Sequence, residues 1–258
     1  MSLDLSEDKK ITNKIIDPVV LITGSAKRIG AAIAKHLHAD GYKIAIHHHT
    51  SIEEAYQLEK ELNNIRPDSA FAVQQDLVAK DAARKLIKSV VKKANQINLL
   101  VNNASIFLKT PLNQSDNIES SWDLLHTINL RVPYLLSLEA MPFLRVTGGS
   151  IVNITDIHSE RPRKNYSAYC ASKAALVAAS NSLAIDLAPD VRVNCVAPGA
   201  IVWASSEDQI EQNNVIDSTP LARVGNPLDI AQAVSYLAQA KYVTGHVLNV
   251  DGGRTLNA

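Results

Sequence analysis

Short runs of β-branched and other apolar residues alternate along the chain with longer stretches in which apolar positions recur every three or four residues. The short runs are residues 17–22 (DPVVLI), Tyr42 to His47, Ala70 to Gln74, Ile97 to Asn102, Ser150 to Thr155, Val191 to Val196 and His246 to Val250. They predict seven strands. Between them, Ile29 to His38, Ile52 to Asn63, Lys80 to Ala94, Ile118 to Leu144, Ala168 to Leu187 and Pro227 to Ala238 carry the helical period. Such alternation is the pattern of βαβ units, whose right-handed crossovers cover a parallel sheet on both sides. The expected architecture is therefore α/β: a single-domain, Rossmann-type, doubly wound fold with a seven-stranded, mostly parallel sheet and helices on both faces. No linker, repeat or low-complexity tract divides residues 15–258, which read as one domain, whereas residues 1–14 read as a flexible N-terminal arm.

Composition narrows the partners. With 46% hydrophobic residues, 20% charged residues and a formal net charge of zero, the chain offers no electrostatic reason to bind nucleic acid or an anionic membrane. No run reaches the roughly 18 uncharged apolar residues of a membrane span, and the opening MSLDLSEDKKITNK lacks an apolar leader core. A cytoplasmic protein is expected. Cys170 and Cys195 are the only cysteines, too few for a disulfide framework and without the paired spacing of a zinc site. His47, His48 and His49 are consecutive on a predicted strand, so their side chains alternate faces and do not converge on a metal ion; no metal is expected.

The first strand ends in Thr23-Gly24-Ser25-Ala26-Lys27-Arg28-Ile29-Gly30. Glycine permits a tight turn, and the helix that follows presents unpaired N–H groups on which a pyrophosphate can sit. A packing turn would read the same way; a second strand at Tyr42 to His47 favours the phosphate reading. An acid at the end of that second strand would bond a ribose 2′-OH and repel a 2′-phosphate. The segment instead reads His47-His48-His49-Thr50-Ser51, with Lys27 and Arg28 in the preceding turn. Cations and hydroxyl donors therefore favour NADP. Asp76-Leu77, after the third strand, lies where an adenine edge could be met, or where the helix from Lys80 could be capped.

Tyr169 and Lys173 stand at i and i+4 on a predicted helix and share one face. A neighbouring ammonium favours phenolate, so the Tyr169 pKa is expected to fall from about 10 toward the working range of a general acid and base. Tyr166 has Cys170 rather than a cation four residues on, and reads as a packing or substrate-wall residue.

The ordered set Thr23-Gly24…Gly30, Asp76, Asn102-Asn103-Ala104, Asn129, Tyr169/Lys173, Pro198-Gly199 and Val250-Asp251-Gly252-Gly253 resembles the short-chain dehydrogenase/reductase family along nearly the whole chain. The resemblance implies that Tyr169 is the proton donor, that Lys173 contacts the nicotinamide ribose and tunes the tyrosine, and that Asn129 holds a water linking Lys173 to solvent. It also places Asn103, Ala104 and Ser105 along the nicotinamide pocket, with Pro198 and Gly199 shaping the loop over it. A homotetramer is implied, assembled through the helices of Ile118 to Leu144 and Ala168 to Leu187 and the C-terminal strand.

Several positions depart from the family's commonest pattern together. Arg28 replaces a second glycine, Asp156 stands thirteen residues before Tyr169 where a serine usually assists, and Ser105 and Phe107 follow Asn102-Asn103-Ala104. The combination is similar to the pteridine reductase branch, including its bacterial dihydromonapterin and dihydrofolate reductases. An ionised Asp156 would repel the alkoxide of a reduced ketone but could accept from the ring N–H and amino donors of a pterin. Phe107 could stack on the flat ring, or be a core aromatic. Arg28 and Ser105 are implied to lie between the cofactor phosphates and the pterin edge; Trp203, in the loop after Pro198-Gly199, could close the site or pack on its own domain. Thr50 stands where trypanosomatid relatives carry Arg, which leaves Arg28, His49 and Ser51 to meet a 2′-phosphate. Asn98, where the wider family usually has Asp, touches sheet stability more than chemistry.

The function expected is NADPH-dependent reduction of a dihydropterin or dihydrofolate to its tetrahydro form. A generic carbonyl or 3-oxoacyl thioester reductase is the alternative within enzymes. An NADP(H)-sensing binding protein is the alternative outside them.

Overall fold

The computed structural model describes residues 17–111, 117–203 and 209–257; the arm expected at residues 1–14 lies outside them. Seven strands form one sheet: β1 (Val19–Ile22), β2 (Lys43–His48), β3 (Ala70–Gln74), β4 (Leu99–Asn102), β5 (Ser150–Ile154), β6 (Arg192–Pro198) and β7 (Val247–Val250). Their spatial order is β3-β2-β1-β4-β5-β6-β7, and every pairing is parallel. A parallel strand covered on both faces has no polar side, which is why β1 is Val-Val-Leu-Ile and wholly buried. The period of two sorts those residues between layers. Val19 and Leu21 join one core cluster, Val20 and Ile22 the other.

The helices are α1 (Arg28–Ala39), α2 (Ile52–Ile65), α3 (Ala82–Ala94), α4 (Ile118–His126), α5 (Val132–Thr147), α6 (Ser167–Asp186), α7 (Gln209–Asp217) and α8 (Pro227–Gln239). One layer takes Ile33 and Leu37 of α1, Leu58 and Leu62 of α2, and Ile230 and Val234 of α8. The other takes Leu86 and Val90 of α3, Leu136 and Ala140 of α5, and Leu183 of α6. Truncating one such leucine to alanine would cost about 2–5 kcal/mol. Asn98 sits at the amino end of the strands, where its Oδ1 accepts from Val19 N–H at 2.8 Å. Among the described residues no helix is long and apolar enough to cross a membrane.

Three details differ from the sequence expectation. The helix expected from Ile118 to Leu144 is broken into α4 and α5 by a π-helical turn, Thr127–Arg131, which contains Asn129. Helix α3 starts at Ala82 rather than Lys80, after Asp81 in a left-handed conformation; Asp76 accepts instead from Val78 N–H at 3.0 Å and closes the turn before it. Helix α7 had no counterpart in the sequence reading, because only Val215 of its nine residues is buried and it shows no apolar period.

The chain leaves β3 at one edge and returns as β4 on the other side of β1. At such a switch point adjacent connections run to opposite faces and leave a crevice at the carboxyl ends of the strands. The segments after β1, β4, β5 and β6 all open into it.

Candidate active site

The crevice is a cleft of about 590 Å³. The end of the cleft next to α1 is built from the turn after β1 and the segment after β4, which hydrogen bonds fuse into one unit. Thr23 Oγ1 accepts from the N–H groups of Asn103 (2.9 Å) and Ala104 (3.0 Å), while Asn103 Nδ2 donates to the carbonyls of Thr23 (2.8 Å) and Gly24 (3.1 Å). Asn103 thus braces the turn as well as lining the cleft. A Cβ on Gly30 would lie 2.4 Å from the Gly24 carbonyl, so only glycine lets α1 start this close to the turn. Lys27, at the N-cap of α1, makes no side-chain cap. The first N–H groups of α1 therefore stand at the cleft with their positive end outward, the arrangement that holds a pyrophosphate.

Arg28 occupies its usual-glycine position at φ +53°, in the left-handed region. Its guanidinium crosses the cleft toward the carbonyls of Val202 and Trp203, both at 3.4 Å. Trp203 lines the cleft from that loop, and residues 204–208 after it lie outside the described residues. Pro198 and Gly199 line the cleft as well. Gly199 N–H bonds the Val250 carbonyl at 2.9 Å, and its missing Cβ would lie 2.7 Å from Asp251 Cα.

The rim expected to receive a 2′-phosphate carries ion pairs that the sequence does not show. No acid stands on β2, yet Glu54, in the first turn of α2, holds Lys27 Nζ at 2.5 Å. His49 Nε2 lies 4.0 Å from Asp76 Oδ2. His49 and Thr50 are exposed, and Ser51 starts α2 without a side-chain cap bond. The cations and donors are present, but Lys27 already has a carboxylate partner. None of His49, Thr50, Ser51, Asp76 and the buried Leu77 lines the cleft, whereas Ile29 does.

At the other end Tyr169 Oη donates to Asp156 Oδ2 at 2.7 Å. The second oxygen of Asp156 is fixed by His158 N–H at 2.8 Å. Lys173 Nζ is buried and donates to the Ile154 carbonyl at 2.9 Å, 5.8 Å from the centre of the Tyr169 ring. These placements reverse the expected titration of the tyrosine. Burial first, then the Asp156 charge and the hydrogen bond to it, raise the Tyr169 pKa well above its ordinary 10, against a smaller downward pull from the Ser105 hydroxyl. The ammonium expected to lower it is itself weakened by burial, to a pKa of about 8. Tyr169 is a held proton rather than a standing phenolate.

Asn129 is fully buried behind the cleft. Its Oδ1 accepts from Ser105 Oγ (3.0 Å) and Ile106 N–H (2.9 Å); its Nδ2 donates to the Ile106 carbonyl (2.9 Å) and Ser172 Oγ (3.2 Å). Both side-chain atoms are committed to protein, which leaves only the main chain of Asn129 to meet the water that the resemblance implied. Its geometric work is to clamp Ser105 and Ile106 beside Tyr169.

Phe107 stacks on Tyr166 with centroids 4.4 Å apart at 17° and meets Tyr169 edge-on at 4.7 Å. It belongs both to a small buried cluster with Leu125 and Tyr166 and to the cleft wall. Arg163 lies over the Tyr166 ring at 4.9 Å and the Phe107 ring at 5.8 Å. Arg163, His158, Ile157, Val215 and Arg254 line the cleft without having been singled out in the sequence. Only proximity to Asp156, and the position after Gly252-Gly253, could have pointed to His158 and Arg254.

The cleft thus joins an anion-holding helix end, a proton-bearing phenol, a carboxylate and an aromatic wall. A protein-family model described as Enoyl-(Acyl carrier protein) reductase matches residues 24–255. The 3-oxoacyl-[acyl-carrier-protein] reductase FabG of Staphylococcus aureus is 33% identical over 240 residues, covering 90% of this chain and 96% of the relative. Pteridine reductase 1 of Leishmania tarentolae is 32% identical over 279 residues, covering 93% of this chain and 96% of the relative.

Proposed function

The chain belongs to the short-chain dehydrogenase/reductase family, and from that premise we propose that it is an NADPH-dependent reductase taking a dihydropterin or dihydrofolate to the tetrahydro form. The observation that carries the reading is the Asp156 carboxylate, aimed into the cleft and 2.7 Å from the Tyr169 hydroxyl. A ketone oxygen becoming alkoxide would meet that negative charge at the point where charge develops, which opposes its reduction. A pterin ring brings N–H and amino donors for the same carboxylate, and a C=N bond whose nitrogen must gain a proton.

NADPH, when bound, supplies the hydride that the ring carbon receives. Lys27, Arg28 and the uncapped start of α1 would hold its phosphates, and Thr50 and Ser51 would donate to the 2′-phosphate. Tyr169 keeps its proton at neutral pH because burial and Asp156 raise its pKa, so it can act as the acid that the ring nitrogen needs. Asp156 orients the donor edge of the heterocycle, and the phenolate left on Tyr169 recovers its proton from solvent, which Asp156 can relay along the shared hydrogen bond. Phe107 offers the flat face of the wall. Lys173, anchored on the Ile154 carbonyl, stands ready to position the ribose.

Mixing the protein with NADPH and dihydrobiopterin, dihydromonapterin or dihydrofolate, and following loss of nicotinamide absorbance, tests the reading. Absence of turnover with all three removes it. A second reading, reduction of a 3-oxoacyl thioester, is favoured by the FabG relative at the same level of identity; it expects Asp156→Ser to leave activity intact or improve it. We also propose a homotetramer built on α4, α5, α6 and β7, supported by the exposed Trp122, Tyr134, Val146 and Ile185; sedimentation of the free chain checks it.

A further inference from the structure

We infer that His47 is a positioning residue for dinucleotide binding, its imidazole acting as a strut that fixes the Gly24 turn against the end of β3. The inference rests on the family's dinucleotide chemistry and not on the pterin reading. Of the three consecutive histidines, His47 is the one whose ring turns inward beneath the turn. It is 2% exposed, its Nδ1 accepts from Gly24 N–H at 2.9 Å, and its Nε2 lies 3.0 Å from the Gln75 carbonyl.

The tautomer follows from the partners. A backbone N–H donates to Nδ1, so that nitrogen is bare; a carbonyl faces Nε2, so that nitrogen carries the proton. Burial lowers the His47 pKa to about 4, which keeps the acceptor available at neutral pH. The main chain of the same residue takes part as well, since Ser25 N–H donates to the His47 carbonyl at 3.0 Å.

One side chain therefore ties together the turn after β1, the end of β2 and the segment that leads to Asp76 and Leu77. These are the three sides of the nucleotide end. Gly24 stands at φ +62°, and without Nδ1 its inward N–H, in a part-buried hydrogen bond, would lose its acceptor, which the turn could relieve by moving or by admitting water. Movement there shifts the start of α1, because Gly30 packs directly on the Gly24 carbonyl. His47 does not itself line the cleft and reaches it only through the Gly24 N–H, so its effect is indirect and falls on cofactor affinity.

The two nitrogens can be tested separately. Asn places its Oδ1 where Nδ1 stands and restores the acceptor for Gly24; Gln reaches toward the Nε2 position and does not. Dissociation constants for NADPH and NADH, read by nicotinamide fluorescence, should stay within about threefold of native in His47→Asn and weaken about tenfold or more in His47→Gln. The kcat at saturating NADPH should change less than about threefold in both. Equal weakening in the two variants, in step with their melting temperatures, would overturn the inference, as would native affinity in His47→Gln. Hydrogen exchange at the Gly24 amide of the native chain gives a measurement independent of variant folding: protection is expected, and exchange at the rate of an exposed loop overturns the strut. A native chain that binds neither dinucleotide removes this inference together with the family's cofactor, whereas failure to reduce pterins leaves it standing.

Discussion

Replacing Asp156 is the most informative perturbation, because the two substrate readings predict opposite signs. In the structure one carboxylate oxygen is pinned by His158 N–H at 2.8 Å and the other receives Tyr169 Oη at 2.7 Å. The pinned geometry means that Asp156→Asn alters charge while keeping shape, and Asp156→Ser supplies the family's usual hydroxyl. A hydrogen bond to a charged group contributes about 1.5–3 kcal/mol, so a pterin whose ring donors use this carboxylate should lose roughly 10- to 150-fold in kcat/KM in either variant. For a ketone the same charge is a penalty. Two unit charges about 4 Å apart at an effective dielectric near 20 interact by about 4 kcal/mol; with half a charge developed, its removal in Asp156→Ser should raise ketone reduction roughly 30-fold. Steady-state rates at saturating NADPH, with dihydrofolate and with an acetoacetyl thioester, give both numbers from one protein preparation. The pH profile adds a third: without the carboxylate, the Tyr169 pKa loses a cause of its elevation that ranks only behind burial, so the alkaline limb should move to lower pH. Retention of pterin turnover within about threefold in Asp156→Ser, or parallel loss of both substrates, would refute the electrostatic argument.

Other perturbations read separate parts of the site. Glu54→Gln should free Lys27 and lower the KM for NADPH about two- to fivefold, the scale of an exposed ion pair, with the KM for NADH unchanged; an equal change for both cofactors would mean that Lys27 does not face the 2′-phosphate. Arg28→Gly relieves a non-glycine residue at φ +53° and should stabilise the chain by about 1 kcal/mol, while the KM for NADPH rises severalfold; a lower melting temperature would show that the cross-cleft contacts outweigh the strain. Lys173, buried with its pKa lowered from 10.5 to about 8, carries a charge that the folded state disfavours. Between about pH 8 and 10.5 the unfolded chain keeps the proton that the folded chain has shed, so this residue's contribution to stability rises with pH, by about 3 kcal/mol in total. Chemical denaturation across that range should show native stability gaining on Lys173→Met by that amount, and a constant difference would disprove the shift.

What the sequence reveals about this protein divides along physical lines. Parallel strands covered on both faces carry mostly apolar residues, so β1 to β6 are legible as short β-branched runs, and the partly exposed β7 keeps the same composition. A glycine turn opening a helix, and a Tyr-Lys pair one turn apart, are equally local. Helix α7 escapes because it buries only Val215, and the π turn at Thr127–Arg131 escapes because apolar spacing does not change when the hydrogen-bond ladder slips by one residue. The larger differences concern charge. Four-residue spacing puts Lys173 and Tyr169 on one helix face, but the energy of a proton depends on which groups surround it in space. Lys173 points its ammonium at the Ile154 carbonyl of β5, and Asp156, thirteen residues upstream, reaches the phenol instead. The same holds for Lys27, legible as a phosphate ligand until α2 folds Glu54 beside it, and for His47, whose rotamer makes a strut of what reads only as one of three consecutive histidines alternating faces on a strand. Motifs name the groups available to the chemistry; tertiary contacts between distant segments set their protonation, and on the pterin reading proposed above it is protonation that would separate a pterin from a ketone in this cleft.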